Sequence, residues 1–311
     1  MGTKNSFSLK AETRDGYRVS AKMKKIWKVQ LDMLQQVTDI CKKNNIRYSL
    51  AGGSLIGAIR HKGYIPWDDD IDVVMPRNDY NRFIEIARKE LKEPYFVQNY
   101  QTEPKYYRGQ TQIRNSDTTA IMYIDCFYNF NCGIFIDIFP LDNIPDDSAE
   151  QKRFMKKITF LRRLCVKPDH NPAKELFQKI FRPEFFIKRL NRTAQKYKDA
   201  DTKLCGAISH RPEEFKYETR WFKEGNFKEV PFENLKLSIT KDYDEWLTRQ
   251  YGDYMTPPKE RGNGSGSLHG KVFYDPDKSY REYESKKDEL KEELWRKLPL
   301  KKKQFAALKL Q

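Results

Sequence analysis

A chain of 311 residues with 38% apolar content is long enough to bury a substantial core without disulfides, and it holds no run of about 18 uncharged apolar residues that would span a membrane. Its 59 Lys and Arg outnumber its 44 Asp and Glu for a formal charge of +15, which favours anionic partners such as nucleotides, acidic lipid surfaces or nucleic acid without choosing among them. The five cysteines, Cys41, Cys126, Cys132, Cys165 and Cys205, are odd in number and lack CxxC spacing, which argues against zinc sites and a disulfide framework and reads as reduced thiols in a cytosolic protein.

Residues 21–45 carry Met23, Trp27, Leu31, Leu34, Val37 and Cys41 at three- and four-residue steps, which predicts an amphipathic helix. A short strand over 47–50 runs into Gly52-Gly53, after which Ser54 is placed to cap a helical turn over 55–60. Beyond Pro66, Asp70-Ile71-Asp72-Val73-Val74 alternates carboxylate and aliphatic side chains before turning apolar. That is the pattern of a strand leaving a site and entering a core, with both carboxylates on one face. Pro76 closes it; 77–91 reads as a helix with Tyr80, Phe83, Ile84, Ala87 and Leu91 on one side, and strands follow at 95–100 and 110–114. Gly133 and Pro140 bound the most apolar run of the chain, which has Asp137 at its centre.

From 147 to 220 the chain turns basic and helical, as an insertion would; 221–260 regains strand and helix signals and is expected to dock back on the core. The remainder, 261–311, combines a Gly/Ser-rich segment at 262–267 with a basic helix. That helix sets Leu290, Leu294 and Leu298 on one side and is followed by Lys301-Lys302-Lys303, a composition that suits a solvated terminal helix or the surface of an anionic membrane.

The stretches 51–60 and 65–72 carry the chemistry. Without side chains, Gly52 and Gly53 let backbone N–H groups approach a phosphate at a helix start, and Ser54 adds a hydroxyl donor. Two aspartates one residue apart repel each other unless a cation joins them, and Mg2+ or Mn2+ binds through one or two carboxylates plus substrate phosphates. Asp70 and Asp72 are therefore expected as metal ligands. Asp137, unfavourable to bury alone, is expected to complete the metal shell or to accept a hydroxyl proton if its strand neighbours theirs. Arg60 and Arg114 suit either the phosphates, through a forked guanidinium, or a surface ion pair, while His61 reads as a solvated helix-end side chain. A cage for a quaternary ammonium would draw on Tyr64, Trp67, Tyr106, Tyr107, Tyr123 and Phe127, although most aromatics are core.

The run GGSLIGAIRHKGYIPWDDDIDVVMPRNDYNRF, followed by GIFIDIFPLD, resembles the LicD family, which includes phosphocholine transferases of bacterial surface glycans; the fukutin-type ribitol-phosphate transferases are more distant relatives. The resemblance covers residues 25–145 and continues more weakly at 231–235 and 251–258. It implies an α+β fold: a nucleotidyltransferase-like mixed sheet flanked by helices over a core at 20–146, with the helical insertion and a C-terminal helical tail. It also implies a metal site that binds a CDP-alcohol, CDP-choline first, and hands the phospho-alcohol to a hydroxyl of a cell-surface glycan or its lipid-linked precursor, releasing CMP. Teichoic acid, lipopolysaccharide and capsule are such glycans. By residue matching, Gly52, Gly53 and Ser54 carry over as the phosphate loop, Asp70 and Asp72 as metal ligands with Asp68 as a nearby carboxylate, and Asp137 as the later strand aspartate. After Pro258 the pattern departs from the family's, since only Arg261 and a single His269 stand where relatives have arginine and paired histidines, and no catalytic role carries over to His269.

The expected setting is cytoplasmic, with peripheral contact at the inner face of the membrane and no nucleic-acid partner. Two other readings stay open: nucleotidyl transfer from an NTP, and a non-catalytic basic protein that binds RNA or a glycan.

Overall fold

The computed structural model describes residues 7–165, 183–210, 216–258 and 272–297. A hairpin of β1 (Glu12–Arg14) and β2 (Tyr17–Val19) leads into helix α1 (Ala21–Lys43). Ser20 caps that helix, its hydroxyl accepting from the Met23 N–H at 3.1 Å, and Lys42 and Lys43 sit at the negative end of the helix dipole. Next come β3 (Ser49–Leu50), α2 (Gly52–Arg60), β4 (Asp72–Pro76), α3 (Arg77–Glu90), β5 (Tyr95–Gln98), β6 (Thr111–Asn115), β7 (Thr119–Met122) and the long β8 (Ile134–Ile144). Helices α4 (Ser148–Cys165) and α5 (Pro183–Ala194) precede β9 (Leu204–Gly206), β10 (Lys216–Glu218), β11 (Phe227–Phe232), β12 (Leu235–Thr240), α6 (Tyr243–Tyr251), β13 (Val272–Asp275) and α7 (Lys287–Lys297).

Strand β8 is the axis of a seven-stranded mixed sheet. Along one edge β4 runs parallel, from Asp72 opposite Asp137 to Pro76 opposite Leu141, and β3 lies antiparallel beyond it. The other edge is shared between β6, paired over 134–138 with β5 outside it, and β9, paired over 142–144 with β10 outside it. The sequence pattern ends this strand at Pro140, yet it continues to Ile144. Pro140 falls between the last residue paired with β6 and the first paired with β9, so its missing N–H breaks no ladder bond.

Side chains alternate across this sheet. Val73, Met75, Ile136 and Ile138 are fully buried on the face covered by α1 and α3, whereas Asp72, Val74, Phe135, Asp137 and Phe139 line a cleft on the other. A buried, bidentate ion pair ties α3 to the sheet: Arg77 donates to Asp142 at 2.6 and 2.7 Å.

The stretch expected as a helical insertion over 147–220 is helical only in part. Among its described residues, α4 and α5 bury Phe154, Ile158, Leu161, Ile187 and Leu190 against Ile144 and Ile208 as a core of their own. Leu204-Cys205-Gly206 is too short to show a period and extends the sheet as β9. The β11–β12 hairpin and α6 then bring Phe232, Leu237, Ile239, Trp246 and Leu247 back into the main core.

The C-terminal helix differs from its sequence-based reading. Leu290 and Leu294 are 7% and 1% exposed, packed into an aromatic cluster with Tyr106, Tyr128 and Phe130, and Lys287 donates to the Tyr128 carbonyl at 2.8 Å. The leucine stripe, read in sequence as facing either solvent or a membrane, thus meets the protein itself. Leu298, the lysine run 301–303, the 262–267 segment, Arg261 and His269 lie outside the described residues. No helix among the described residues is long and apolar enough to cross a membrane. All five cysteines are free, and burial pushes the thiols of Cys132, Cys165 and Cys205 up to about 12.

Candidate active site

Helix α2 begins at Gly52, with Ala51 as an N-cap that offers no side-chain acceptor. The amides of its first turn have no intrahelical partner, and Ala51, Gly52 and Gly53 line the cleft, which has a volume of about 940 Å³. Gly52 adopts φ +53, and a Cβ there would stand 3.0 Å from Asp72 Oδ2. On Gly53 a Cβ would fall 2.3 Å from Asp68 Oδ2. The glycine pair therefore lets a helix end and two carboxylates occupy the same small space. Ser54, expected as cap and phosphate donor, takes neither place, because the helix has already started before it. It is 4% exposed, and its Oγ accepts the Asp72 N–H at 2.9 Å, fastening β4 to α2.

Asp68, Asp70, Asp72 and Asp137 all line the cleft. The strand starts at Asp72 rather than Asp70, so Asp70 is carried by the preceding loop. Asp137, distant in sequence, is the direct neighbour of Asp72 across the parallel pair, at a strand spacing of about 4.8 Å. Burial is the largest influence on these carboxyl groups. It pushes Asp68 up to about 7 together with the charges of Asp69 and Asp72, and it raises Asp70 well above its ordinary range with Asp68, Asp69 and Asp137 adding to the effect. Asp137 is raised as well, although Arg108, Gln110 and Gln112 pull it back.

Acidic groups that keep protons they would shed in water mark a site short of positive charge, and a hard divalent ion fits that deficit. Among the described residues, no three His, Cys, Asp or Glu side chains converge as a finished metal cage.

Asp137 is framed by two amides: Gln110 and Gln112 both donate to its Oδ1, at 3.2 and 3.0 Å, and among the described residues Oδ2 makes no hydrogen bond. Arg114, expected at the phosphates, is fully buried instead. It donates to Gln112 Oε1 at 2.7 Å and to the Gly133 carbonyl at 2.6 Å, so it orients Gln112 from inside the sheet and does not reach the cleft. Arg60 does line the cleft, donating to the Tyr254 carbonyl.

Arg108 lines the cleft too, held by Asp125 at 2.7 Å and stacked over Tyr107. Sequence reading missed Arg108, Gln110, Gln112 and His210. The alternating glutamines entering β6 were the available signal, but it acquires meaning only once β6 is known to pair with β8. His210 Nδ1 lies 3.2 Å from Gln110 Oε1. Because the Gln110 amide nitrogen donates to Asp137, its oxygen must accept, so His210 carries its proton on Nδ1. His61, expected to be solvated, has a side chain only 5% exposed and meets Asp15 at 2.8 Å; burial and then Arg60 lower its pKa.

Of the six aromatics considered for an ammonium cage, only Trp67 lines the cleft. Tyr64 stacks on Trp27 at 4.5 Å, Tyr106 and Tyr107 join Tyr128 and Phe130, and Tyr123 packs with Phe127 and Trp295. The aromatic walls come instead from Tyr217, Tyr251 and Tyr254, beside Phe135 and Phe139.

Comparison with known proteins bears on this geometry. The family model described as LicD/FKTN/FKRP, nucleotidyltransferase domain, matches residues 45–161, the span from β3 into α4 that contains Asp68, Asp70, Asp72 and Asp137, while Asp253, which also lines the cleft, lies beyond it. The chain is similar to the lipopolysaccharide cholinephosphotransferase LicD of Haemophilus influenzae, at 30% identity over 251 residues, covering 75% of this chain and 91% of that protein. It is also similar to the ribitol 5-phosphate transferase FKRP of Mus musculus and of Homo sapiens, at 32% identity over 83 residues, 25% of this chain and 17% of those proteins.

Proposed function

The chain belongs to the LicD family and is a phosphotransferase of its type, and from that premise we propose that it passes phosphocholine from CDP-choline to a hydroxyl of a cell-surface glycan or its lipid-linked precursor, releasing CMP. The observation that carries this reading is the adjacency of Asp72 and Asp137 on parallel strands beside the uncapped N-terminus of α2, which aims amides and carboxylates at one place. Asp70, Asp72 and Asp137 would hold Mg2+ or Mn2+, which supplies positive charge to the diphosphate and to the leaving CMP.

The Gly52 and Gly53 amides receive phosphate oxygens, and Arg60 and Arg108 bring further positive charge to the same cleft. In the transfer the acceptor oxygen bonds to the phosphocholine phosphorus while the bond from that phosphorus to the CMP oxygen breaks, and the hydroxyl proton leaves for a carboxylate or water. Phosphoryl transfer of this kind depends on positioning and electrostatics more than on covalent help from the protein. Tyr217, Tyr251, Tyr254 and Trp67 suit a trimethylammonium group by cation–π attraction.

The test is CMP release from CDP-choline, CDP-ribitol, CDP-glycerol and CDP-ethanolamine, with Mg2+ and after EDTA. Metal-dependent release, fastest from CDP-choline, is expected, with Asp72→Asn slower by about 10²–10³-fold or more at an unchanged melting temperature. Pyrophosphate release from CTP or ATP, with every CDP-alcohol inert, would overturn the proposal in favour of nucleotidyl transfer. Near-normal turnover by Asp72→Asn would remove the metal assignment, and activity confined to CDP-ribitol would change the alcohol while keeping the site.

A further inference from the structure

Helices α4 and α5 each turn one apolar stripe inward, and the composition of the opposite stripes is one-sided. On α4 the exposed residues from 152 onward are Lys152, Arg153, Lys156, Lys157, Phe160 and Arg163; on α5 they are Phe185, Lys188, Arg189 and Arg192. Eight cations and two phenylalanines stand there with no acidic residue between them. Phe160 is 62% exposed and Phe185 53%, and each has cations three or four positions away, on its own side of the helix.

Several surface cations elsewhere are matched with carboxylates, as Lys28 is with Asp32 and Arg249 with Glu245. Among the described residues, none of the eight forms an ion pair. The nearest acids in sequence are largely occupied or withdrawn: Glu150 is hydrogen-bonded by Lys196 and Tyr197 and feels Arg153 only through its charge, and Glu184 is half-buried. A stripe kept only for solubility mixes both signs and avoids large apolar side chains.

We propose that α4 and α5 form a docking surface for an anionic phospholipid membrane, with the lysines and arginines meeting lipid phosphates and Phe160 and Phe185 entering the interfacial layer. Single-stranded RNA would answer to the same charge. However, base stacking needs aromatic platforms along a groove, and here one exposed phenylalanine rises from the outer side of each helix, Phe185 being packed edge-on against the buried Phe186. None of these residues lines the catalytic cleft, so the inference stands apart from the choice of donor.

Full-length protein is sedimented with vesicles of phosphatidylcholine alone and of phosphatidylcholine containing about 30 mol% phosphatidylglycerol, an anionic lipid. Binding to the anionic vesicles only is expected, and its loss at about 0.5 M salt. The Lys156→Glu/Lys157→Glu/Arg163→Glu variant is expected to bind about tenfold more weakly or worse. Phe160→Ser/Phe185→Ser should also weaken binding while keeping its salt dependence. Both variants keep the wild-type melting curve and CMP release from soluble donor. Equal binding to neutral vesicles, no binding of the wild type, or undiminished binding of the charge-reversed variant would overturn the proposal. So would RNA affinity that the charge reversal abolishes in a protein that ignores vesicles.

Discussion

Asp68 keeps its proton to about pH 7 because it is withdrawn from water beside Asp69 and Asp72. The unfolded chain releases the same proton near pH 4, at about 3.9 for a free aspartate. A carboxyl group raised in this way contributes stability in full below about pH 4 and loses it as pH rises through about 7. In EDTA the melting temperature should therefore fall between about pH 4 and about pH 7, and this fall should shrink in Asp68→Asn. Adding Mg2+ at the upper pH should restore part of the loss. A melting curve in EDTA that is flat across this range would refute the electrostatic account of the cleft. Among single residues, the convergence of Asp70 and Asp72 on one cleft was legible from their spacing together with the glycine pair before them, since an acidic cluster by itself reads as a solvated turn. Arg114 was misread, because a guanidinium in a strand looks the same in sequence whether it faces a cleft or fills the interior.

Helix α2 shows how an element carries the site. Its open N-terminus depends on glycine at two positions for two reasons, a left-handed backbone at Gly52 and the closeness of Asp68 at Gly53. Gly53→Ala should leave thermal stability nearly unchanged, since the added methyl meets only the end of a side chain that can move. Turnover should fall by about 10²-fold if the cleft is the reacting site as proposed, because the displaced carboxylate lines it. Comparing kcat and melting temperature for this variant decides the point: a protein that melts far lower would mean that Gly53 serves the fold. The glycine-turn-helix order was readable in the chain, but the helix start was not. The sequence pattern put the cap on Ser54, and the structure uses that hydroxyl to bind the Asp72 backbone instead.

At the scale of the molecule, segments remote in sequence complete the walls and the floor. The tail helix α7 belongs to this body: Leu294 is 1% exposed among the rings packed beneath it. Leu294→Ala should lower the unfolding free energy by about 2–5 kcal/mol, read from urea denaturation. A loss below about 0.5 kcal/mol would return the helix to the role of a loose appendage. An amphipathic stripe alone does not reveal its covering, since a membrane and a protein core present similar apolar partners. That is why the leucines of α7 read in sequence as suited to a solvated helix or to a membrane face, while the exposed basic stripes of α4 and α5 drew no membrane reading.

By itself the sequence determined what depends on near neighbours: the helical period of α1, the glycine turn, the acidic approach to β4, the apolar run around Asp137 and the family to which they belong. The tertiary structure alone decided that Asp137 stands beside Asp72, that Gln110 and Gln112 hold it, that Arg108 rather than Arg114 faces the cleft, and that Pro140 lies within β8. Local patterns are fixed by the geometry of a few successive residues. Register, facing and cover are fixed by which distant strands pair and which face is left open, and no short window of the chain contains that information.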